Sequence, residues 1–123
     1  MKTVRTATLE IAYEEAGPAD GRAVILLHGF PDDVHAYDGV APSLAAAGWR
    51  VLVPYLRGYG PTRFLDAATP RSGQQAVLGR DLADFMDALG IVRAKPALRP
   101  RRCPGYCSRP SSLTQRRAPA TTP

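Results

Sequence analysis

The sequence has no apolar run near the roughly 18 residues that a membrane-spanning helix needs. Residues 1–5 are not followed by the apolar core of a secretory signal. Cysteine is scarce: Cys103 and Cys107 are the only two, and no second pair or histidines accompany them at zinc-ligand spacing. These absences predict a cytoplasmic protein with no membrane contact, no disulfide framework, no metal and no cofactor.

Acidic residues are absent from the last part of the chain. Residues 1–94 hold 9 Lys/Arg against 11 Asp/Glu, whereas residues 95–123 hold 7 basic residues, 6 of the 12 prolines and no acidic residue. This last segment also lacks Val, Ile, Phe, Met and Trp, so it buries too little apolar surface to offset its ordering entropy. We therefore predict one domain at 1–94 and a disordered, basic Pro/Arg-rich tail at 95–123.

The apolar pattern of residues 3–54 predicts an α/β fold. Alternation over residues 3–16 indicates one or two half-buried edge strands, and the continuous apolar run at 23–28 indicates a strand buried on both faces. A short helix at about 40–47 and a second buried strand at 50–54 follow. The order strand, helix, strand is that of a parallel βαβ unit with a right-handed crossover.

A longer helix is predicted to begin near Ser72, which stands three residues before Gln75 as in a capping box, and to end at Gly90. Its polar side chains fit a solvated helix face and are given no chemical role. A third parallel strand should follow. Residues 95–102 contain two prolines and three arginines, however, and this composition predicts that no buried central strand forms after Ala94.

The segment His28–Asp33 follows the first buried strand, where open α/β sheets carry their active sites. Gly29 permits close approach of the backbone to a ligand, Pro31 fixes the turn, and the Phe30 amide is a free donor at a point where negative charge can develop. This donor could form half of an oxyanion hole. A turn without chemical function explains the same residues, and the residue pattern alone leaves both alternatives open.

Four segments together resemble the α/β-hydrolase superfamily, and within it the epoxide hydrolase and haloalkane dehalogenase branch. That branch has His-Gly-x-Pro after its third strand and Arg-Gly-Tyr-Gly after its fourth. The matching segments, which lie within residues 3–94, are 25–32, 47–54, 56–61 and 81–91. The resemblance implies a partial α/β-hydrolase fold, made of the first strands and helices of a mostly parallel sheet.

The resemblance also implies roles for residues of the first motif. Phe30 matches the position whose backbone amide helps bind the oxyanion, His28 matches a structural histidine, and Pro31 matches a proline often held in the cis form. Gly29 and Asp32 complete the motif. Tyr55 departs from the family, since many members have Asp there. The other histidine, His35, is interpreted as an exposed polar residue because the family's base occupies no such position.

A larger departure concerns the nucleophile. The family carries it on a Gly-x-Asp/Ser-x-Gly elbow about ten residues after the preceding helix, where this chain has residues 95–102. The segment Gly105–Ser108 echoes an elbow but lies too late and lacks the closing glycine. The family's remaining triad acid and histidine come further along. We therefore expect this chain to be inactive alone, whereas full-length relatives hydrolyse small-molecule epoxides, esters or halides.

The family's strand order adds an expectation about association. Without a fifth strand, the strand at 24–28 would be a long, apolar, unpaired edge, and such an edge promotes self-association or aggregation. The simultaneous change in charge, proline content and periodicity near codon 95 is also what a GC-rich gene yields when it is read out of frame. A frameshift there is our hypothesis for the origin of the tail.

Two other functions are alternatives. A small nucleic-acid or acidic-surface binder could use the Arg-rich tail for phosphate contacts, but this explains only the tail, which has no interleaved aromatic residue except Tyr106. We therefore do not expect nucleic acid as a partner. A dinucleotide-binding domain lacks the expected Gly-x-Gly-x-x-Gly after the first parallel strand.

Overall fold

The computed structural model describes residues 1–98, and of residues 96–98 it describes the backbone alone. These residues form one mixed sheet, a short 3₁₀ helix and two α-helices. In chain order the elements are β1 (Lys2–Arg5), β2 (Leu9–Ala16), β3 (Arg22–Leu27), the 3₁₀ helix (Val34–Tyr37), α1 (Ala41–Ala46), β4 (Trp49–Pro54), β5 (Arg63–Phe64), α2 (Gln75–Ala88) and β6 (Ala94–Leu98). None of the helices in this part of the chain is long and apolar enough to cross a membrane.

The strand order of the sheet is β1-β2-β4-β3-β6, and the two-residue strand β5 pairs with β2 outside this order. β2 is antiparallel to β1 and to β4. β3 is parallel to both of its neighbours, β4 and β6. The parallel pairing of β3 with β4, with α1 between them in sequence, confirms the predicted βαβ unit.

β6 forms a strand at Ala94–Leu98, but it lies at the edge of the described sheet, so the prediction that no buried central strand forms after Ala94 stays a prediction. β6 pairs with β3 in parallel register from Ala23–Ala94 to Leu27–Leu98, so β3 is an interior strand and not the unpaired edge we expected. Pro96 is compatible with this position because β6 is the outermost described strand, and proline is tolerated where one side of the backbone has no ladder partner.

The strand also crosses the predicted boundary between residues 94 and 95. The rest of the predicted tail, residues 99–123, lies outside the described residues. The cysteine pair at 103 and 107 and the elbow-like segment Gly105–Ser108 lie there too.

Two apolar clusters cover the two faces of the sheet. On one face, Phe85 of α2 packs among strand residues and its ring meets the Tyr13 ring edge-on at 5.3 Å between centroids. On the other face, Val34 and Tyr37 of the 3₁₀ helix pack on residues of β3 and β4. β3 contributes to both clusters by alternation, as a strand buried on both faces must. The buried residues are Leu9, Ile11, Tyr13, Ala23, Ile25, Leu52, Phe85 and Ile91 on the first face and Val24, Leu26, Val34, Tyr37, Val51 and Val53 on the second.

Helix α2 begins later than predicted. Gln74 is its N-cap residue and makes no side-chain cap hydrogen bond, so the proposed capping box from Ser72 to Gln75 is wrong. The Ser72 hydroxyl instead accepts a hydrogen bond from the Gln74 amide at 3.4 Å. The predicted end of the helix is confirmed: Gly90 follows it with φ +65°, a left-handed conformation that glycine adopts without a steric penalty.

Candidate active site

The predicted first motif forms the loop that leaves the carboxyl end of β3. The Phe30–Pro31 peptide bond is cis. Phe30 is 71% exposed, and its N–H donates to no acceptor within residues 1–98. Asp33 accepts a hydrogen bond from the His35 amide at 2.9 Å and so begins the 3₁₀ helix. The Tyr37 hydroxyl donates to the carbonyl oxygen of Leu27, which ties this helix back to the end of β3.

His28 lies at the base of the loop and is 2% exposed. Its Nε2 accepts a hydrogen bond from the Leu56 amide at 3.1 Å, and the Tyr59 ring meets the imidazole edge-on at 4.6 Å. Burial lowers the pKa of His28 below its ordinary value, against the opposing effect of the Gly29 and Asp32 backbones. The ring is therefore neutral at pH 7, and its hydrogen bond to Leu56 assigns the proton to Nδ1.

Arg57 and Asp81 form a buried bidentate ion pair that joins the loop after β4 to α2. The Arg57 Nε lies 2.6 Å from Asp81 Oδ2, and Nη2 lies 2.6 Å from Oδ1. The two side chains are 7% and 9% exposed. The third guanidinium nitrogen, Nη1, donates to the carbonyl oxygen of Ser72 at 3.1 Å. The hydrogen bonds that Arg57 donates to Asp81 raise the pKa of Arg57 further, so this group holds structure and does not exchange a proton.

Sequence reasoning missed this pair, because the acids of α2 were assigned to a solvated face. A signal was present: Asp81 lies between Leu78 and Phe85 at spacings of three and four residues, on the apolar face of the helix. A carboxylate on that face requires a buried partner.

Thr62 joins the same loop to β2 and was also missed. Its hydroxyl accepts a hydrogen bond from the Ala12 amide at 3.0 Å and donates to the Tyr55 carbonyl oxygen at 2.8 Å. The Tyr55 amide in turn donates to the Ala12 carbonyl oxygen at 2.9 Å. Tyr55, which stands where many family members have Asp, packs its ring against Gly60. Partial burial raises the pKa of the Tyr55 hydroxyl.

A small cavity lies between these loops and α2. It is lined by the ends of β3 and β4, at Leu27 and Pro54, and by Leu56, Leu82 and Phe85 among others. Its volume of about 20 Å³ is enough for one water molecule and far too small for a substrate.

His35 lies apart from this network, on the 3₁₀ helix. Its side chain is 71% exposed and its Nδ1 lies 3.2 Å from Asp38 Oδ2. Within residues 1–98, no group of three or more His, Cys, Asp and Glu side chains could hold a metal ion.

This arrangement, a mixed sheet with the site loop at the carboxyl end of a buried parallel strand, is that of an α/β hydrolase. The chain belongs to this family, because the family model for the α/β hydrolase fold matches residues 22–95. Its relatives are epoxide hydrolases and haloalkane dehalogenases, as the motifs predicted.

Three relatives define the similarity. The haloalkane dehalogenase of Mycobacterium marinum is 46% identical over 65 residues, which are 50% of this chain and 22% of that protein. Epoxide hydrolase A of Mycobacterium tuberculosis is 34% identical over 93 residues, 76% of this chain and 28% of that protein. A Klebsiella pneumoniae protein, provisionally described as an epoxide hydrolase, has a crystal structure that superposes with a TM-score of 0.77 at 52% identity. This superposition covers 79% of this chain and 32% of that chain. The chain thus spans less than a third of the length of each relative.

Proposed function

We propose that residues 1–98 form the oxygen-binding part of an epoxide hydrolase-like active site, in which the Phe30 amide donates a hydrogen bond to the reacting substrate oxygen. One observation carries the proposal: the Phe30 N–H lies at the carboxyl end of β3 and donates to no acceptor within residues 1–98. The similarity to epoxide hydrolase A and to the haloalkane dehalogenase supports the reaction class.

The chemistry follows from the charge that develops in such reactions. When a nucleophile attacks an epoxide or an acyl carbon, negative charge collects on oxygen. A backbone amide that is already fixed by the fold stabilises this charge without reorganising at the moment of reaction. The hydrogen bonds of Asp33 and Tyr37 hold the loop on both sides of Phe30, which is the rigidity that this role requires.

We further propose that the 123-residue chain does not hydrolyse substrates by itself. The positions of its two histidines do not fit a general base: His28 is buried and its Nε2 accepts the Leu56 amide, and His35 lies on the exposed 3₁₀ helix, apart from the network around His28. The elbow-like residues Cys107 and Ser108 lie outside the described residues. Full-length relatives would supply the nucleophile, the base and most of the substrate pocket.

Hydrolysis assays on the purified chain test the second part. With the chain present, a chromogenic epoxide, a p-nitrophenyl ester and 1-bromobutane should each hydrolyse no faster than they do in buffer alone. Turnover that disappears when one of the chain's own side chains is replaced would contradict the proposal.

A chimera tests the role of Phe30. Residues 1–95 replace the matching segment of epoxide hydrolase A from Mycobacterium tuberculosis. The Phe30→Pro variant, which has no amide hydrogen, should lower kcat by roughly 10²–10³-fold, the usual effect of removing one oxyanion donor. Phe30→Ala is the matched control, since it keeps the N–H. A soluble chimera that is equally active with both variants would rule out the amide as the donor.

The family match ends at residue 95, where the composition changes, and this supports a frameshift near codon 95. Translating the other two frames of the downstream DNA tests this hypothesis. A Gly-x-Asp/Ser-x-Gly followed by a long open frame is the expected result, and its absence from both frames would refute the hypothesis.

A further inference from the structure

We propose that Arg57 and Asp81 are positioning residues for the Phe30 loop, acting through the Leu56 amide and the His28 ring. The inference rests on the proposed function of that loop. These contacts connect α2, which is distant from Phe30 in sequence, to the backbone that would bind the substrate oxygen.

The first link is the fixed guanidinium of Arg57. Three of its N–H groups are used, two on the Asp81 carboxylate and one on the Ser72 carbonyl oxygen, and the two charged side chains are more than nine-tenths buried. A planar group held at three points has no freedom to rotate. The backbone at residues 56 and 57 is therefore held in place relative to α2.

The second link is the amide next to Arg57. The Leu56 N–H donates to His28 Nε2 at 3.1 Å, and this is the hydrogen bond that the buried imidazole makes within residues 1–98. His28 Nδ1 is buried and has no hydrogen-bond partner there. The Leu56 hydrogen bond and the Tyr59 ring edge therefore orient the ring, together with the nearby Gly29 and Asp32 backbones.

The third link is covalent, because His28 is separated from Phe30 by Gly29 alone. A glycine gives the backbone more freedom than any other residue, so the orientation of the peptide planes after it depends on the residues that anchor each side. On the β3 side the anchors are the Tyr37 hydrogen bond to Leu27 and, next to Gly29, the His28 ring. Loss of the Arg57–Asp81 pair should thus loosen Leu56, then His28, then the Phe30 amide.

The experiment measures these links by NMR on the 123-residue chain. Asp81→Asn removes the charge of the acceptor, and Arg57→Lys removes the bidentate donor. Both should lower the exchange protection of the Leu56 amide at least tenfold relative to the Leu52 amide in β4, and both should move the His28 pKa upward towards its ordinary value. The double variant should change these values no further, because the two residues act as one unit.

Glu15→Gln is the matched control. Glu15 is also a carboxylate whose side chain is 9% exposed, and it pairs with Lys2 and Arg50. This variant should lose stability yet leave the Leu56 protection and the His28 pKa unchanged. Folded variants of Arg57 or Asp81 that behave like Glu15→Gln would overturn the proposal.

A measurement on the unsubstituted chain keeps the test decisive if the variants do not fold. The Leu56 amide and the Arg57 Nε hydrogen should have the same protection factor, which is the exchange rate of the unprotected group divided by the observed rate, because one opening event frees both. A Leu56 protection factor more than tenfold below that of the Arg57 Nε hydrogen would overturn the positioning role. The proposed function is tested by a different experiment. Equal activity of the Phe30→Pro and Phe30→Ala chimeras would contradict it, and that result does not depend on the Leu56 exchange or the His28 pKa.

Discussion

The imidazole of His28 and the amide of Leu56 join the loops that follow β3 and β4, through a hydrogen bond of 3.1 Å in which Nε2 is the acceptor. The bond exists only while His28 is neutral, because a protonated imidazole has no acceptor atom. The protonation state of one buried side chain thus decides whether two loops of the candidate active site stay connected.

The stability of the folded chain should therefore fall in mild acid. Burial lowers the folded-state pKa of His28 below the value of about 6.5 that it has when unfolded, while Asp32 and Asp33 act in the opposite direction. Neutral His28 makes its full contribution to the free energy of unfolding above pH 6.5, and this contribution is lost as the pH falls towards the folded-state pKa. The slope in that window cannot exceed about 1.4 kcal/mol per pH unit, the effect of one proton.

Denaturant unfolding between pH 8 and pH 5 measures this slope. His28→Gln should remove it, since glutamine keeps an acceptor and does not titrate. His35→Gln, at an exposed position, should keep it. Identical pH dependence in the unsubstituted chain and in His28→Gln would contradict the prediction.

Thr62→Val should destabilise the chain by about 2 kcal/mol. The substitution keeps the shape of the side chain but removes the hydroxyl that joins the Ala12 amide to the Tyr55 carbonyl oxygen, and a buried group left without its partner costs about 1–3 kcal/mol. Thr62→Ser retains both hydrogen bonds and should lose less than half as much. Equal losses in the two variants, measured by denaturant unfolding, would show that the methyl group matters more than the hydroxyl.

Gly17→Ala and Gly48→Ala separate backbone strain from a steric clash. Both glycines have left-handed backbones, with φ +83° and +86°, so alanine costs about 1–2 kcal/mol at either position. A Cβ on Gly17 would lie 2.0 Å from the Trp49 carbonyl oxygen, whereas a Cβ on Gly48 meets nothing within 4 Å. Gly17→Ala should therefore be about 2 kcal/mol more destabilising in thermal or denaturant unfolding, the scale of an overpacked site. Equal effects would mean that the chain moves freely at Gly17.

The purified chain should self-associate, although for a reason that differs from our first expectation. β3 is paired on both sides, and β6 is an end strand of the sheet whose outer side has no partner within residues 1–98. An unpaired edge of this kind can pair with another copy of the chain. Sedimentation velocity over a tenfold range of concentration should detect association, and a monodisperse monomer throughout that range would contradict it.

Much of the fold could be predicted because its local signals agree with its packing. The continuous apolar run at β3 matches a strand buried on both faces, and Gly90 marks the end of α2 through its positive φ. The site loop was predicted from the same logic, since His28–Pro31 follows a buried parallel strand.

Other features depend on contacts between residues far apart in sequence. The start of α2 was misplaced because the Ser72 carbonyl oxygen receives a hydrogen bond from Arg57, a partner that no local pattern reveals. β6 was missed because Pro96 argues against a central strand, and only the strand order shows that β6 lies at the edge of the described sheet.

The position of β3 in the sheet has a consequence for the order in which the chain can fold during synthesis. Ala23 of β3 pairs with Arg50 of β4 on one side and with Ala94 of β6 on the other. The pairing with β6 closes the longer loop and should form more slowly than the pairing with β4. While the ribosome is still making α2, one flank of β3 therefore has no strand beside it.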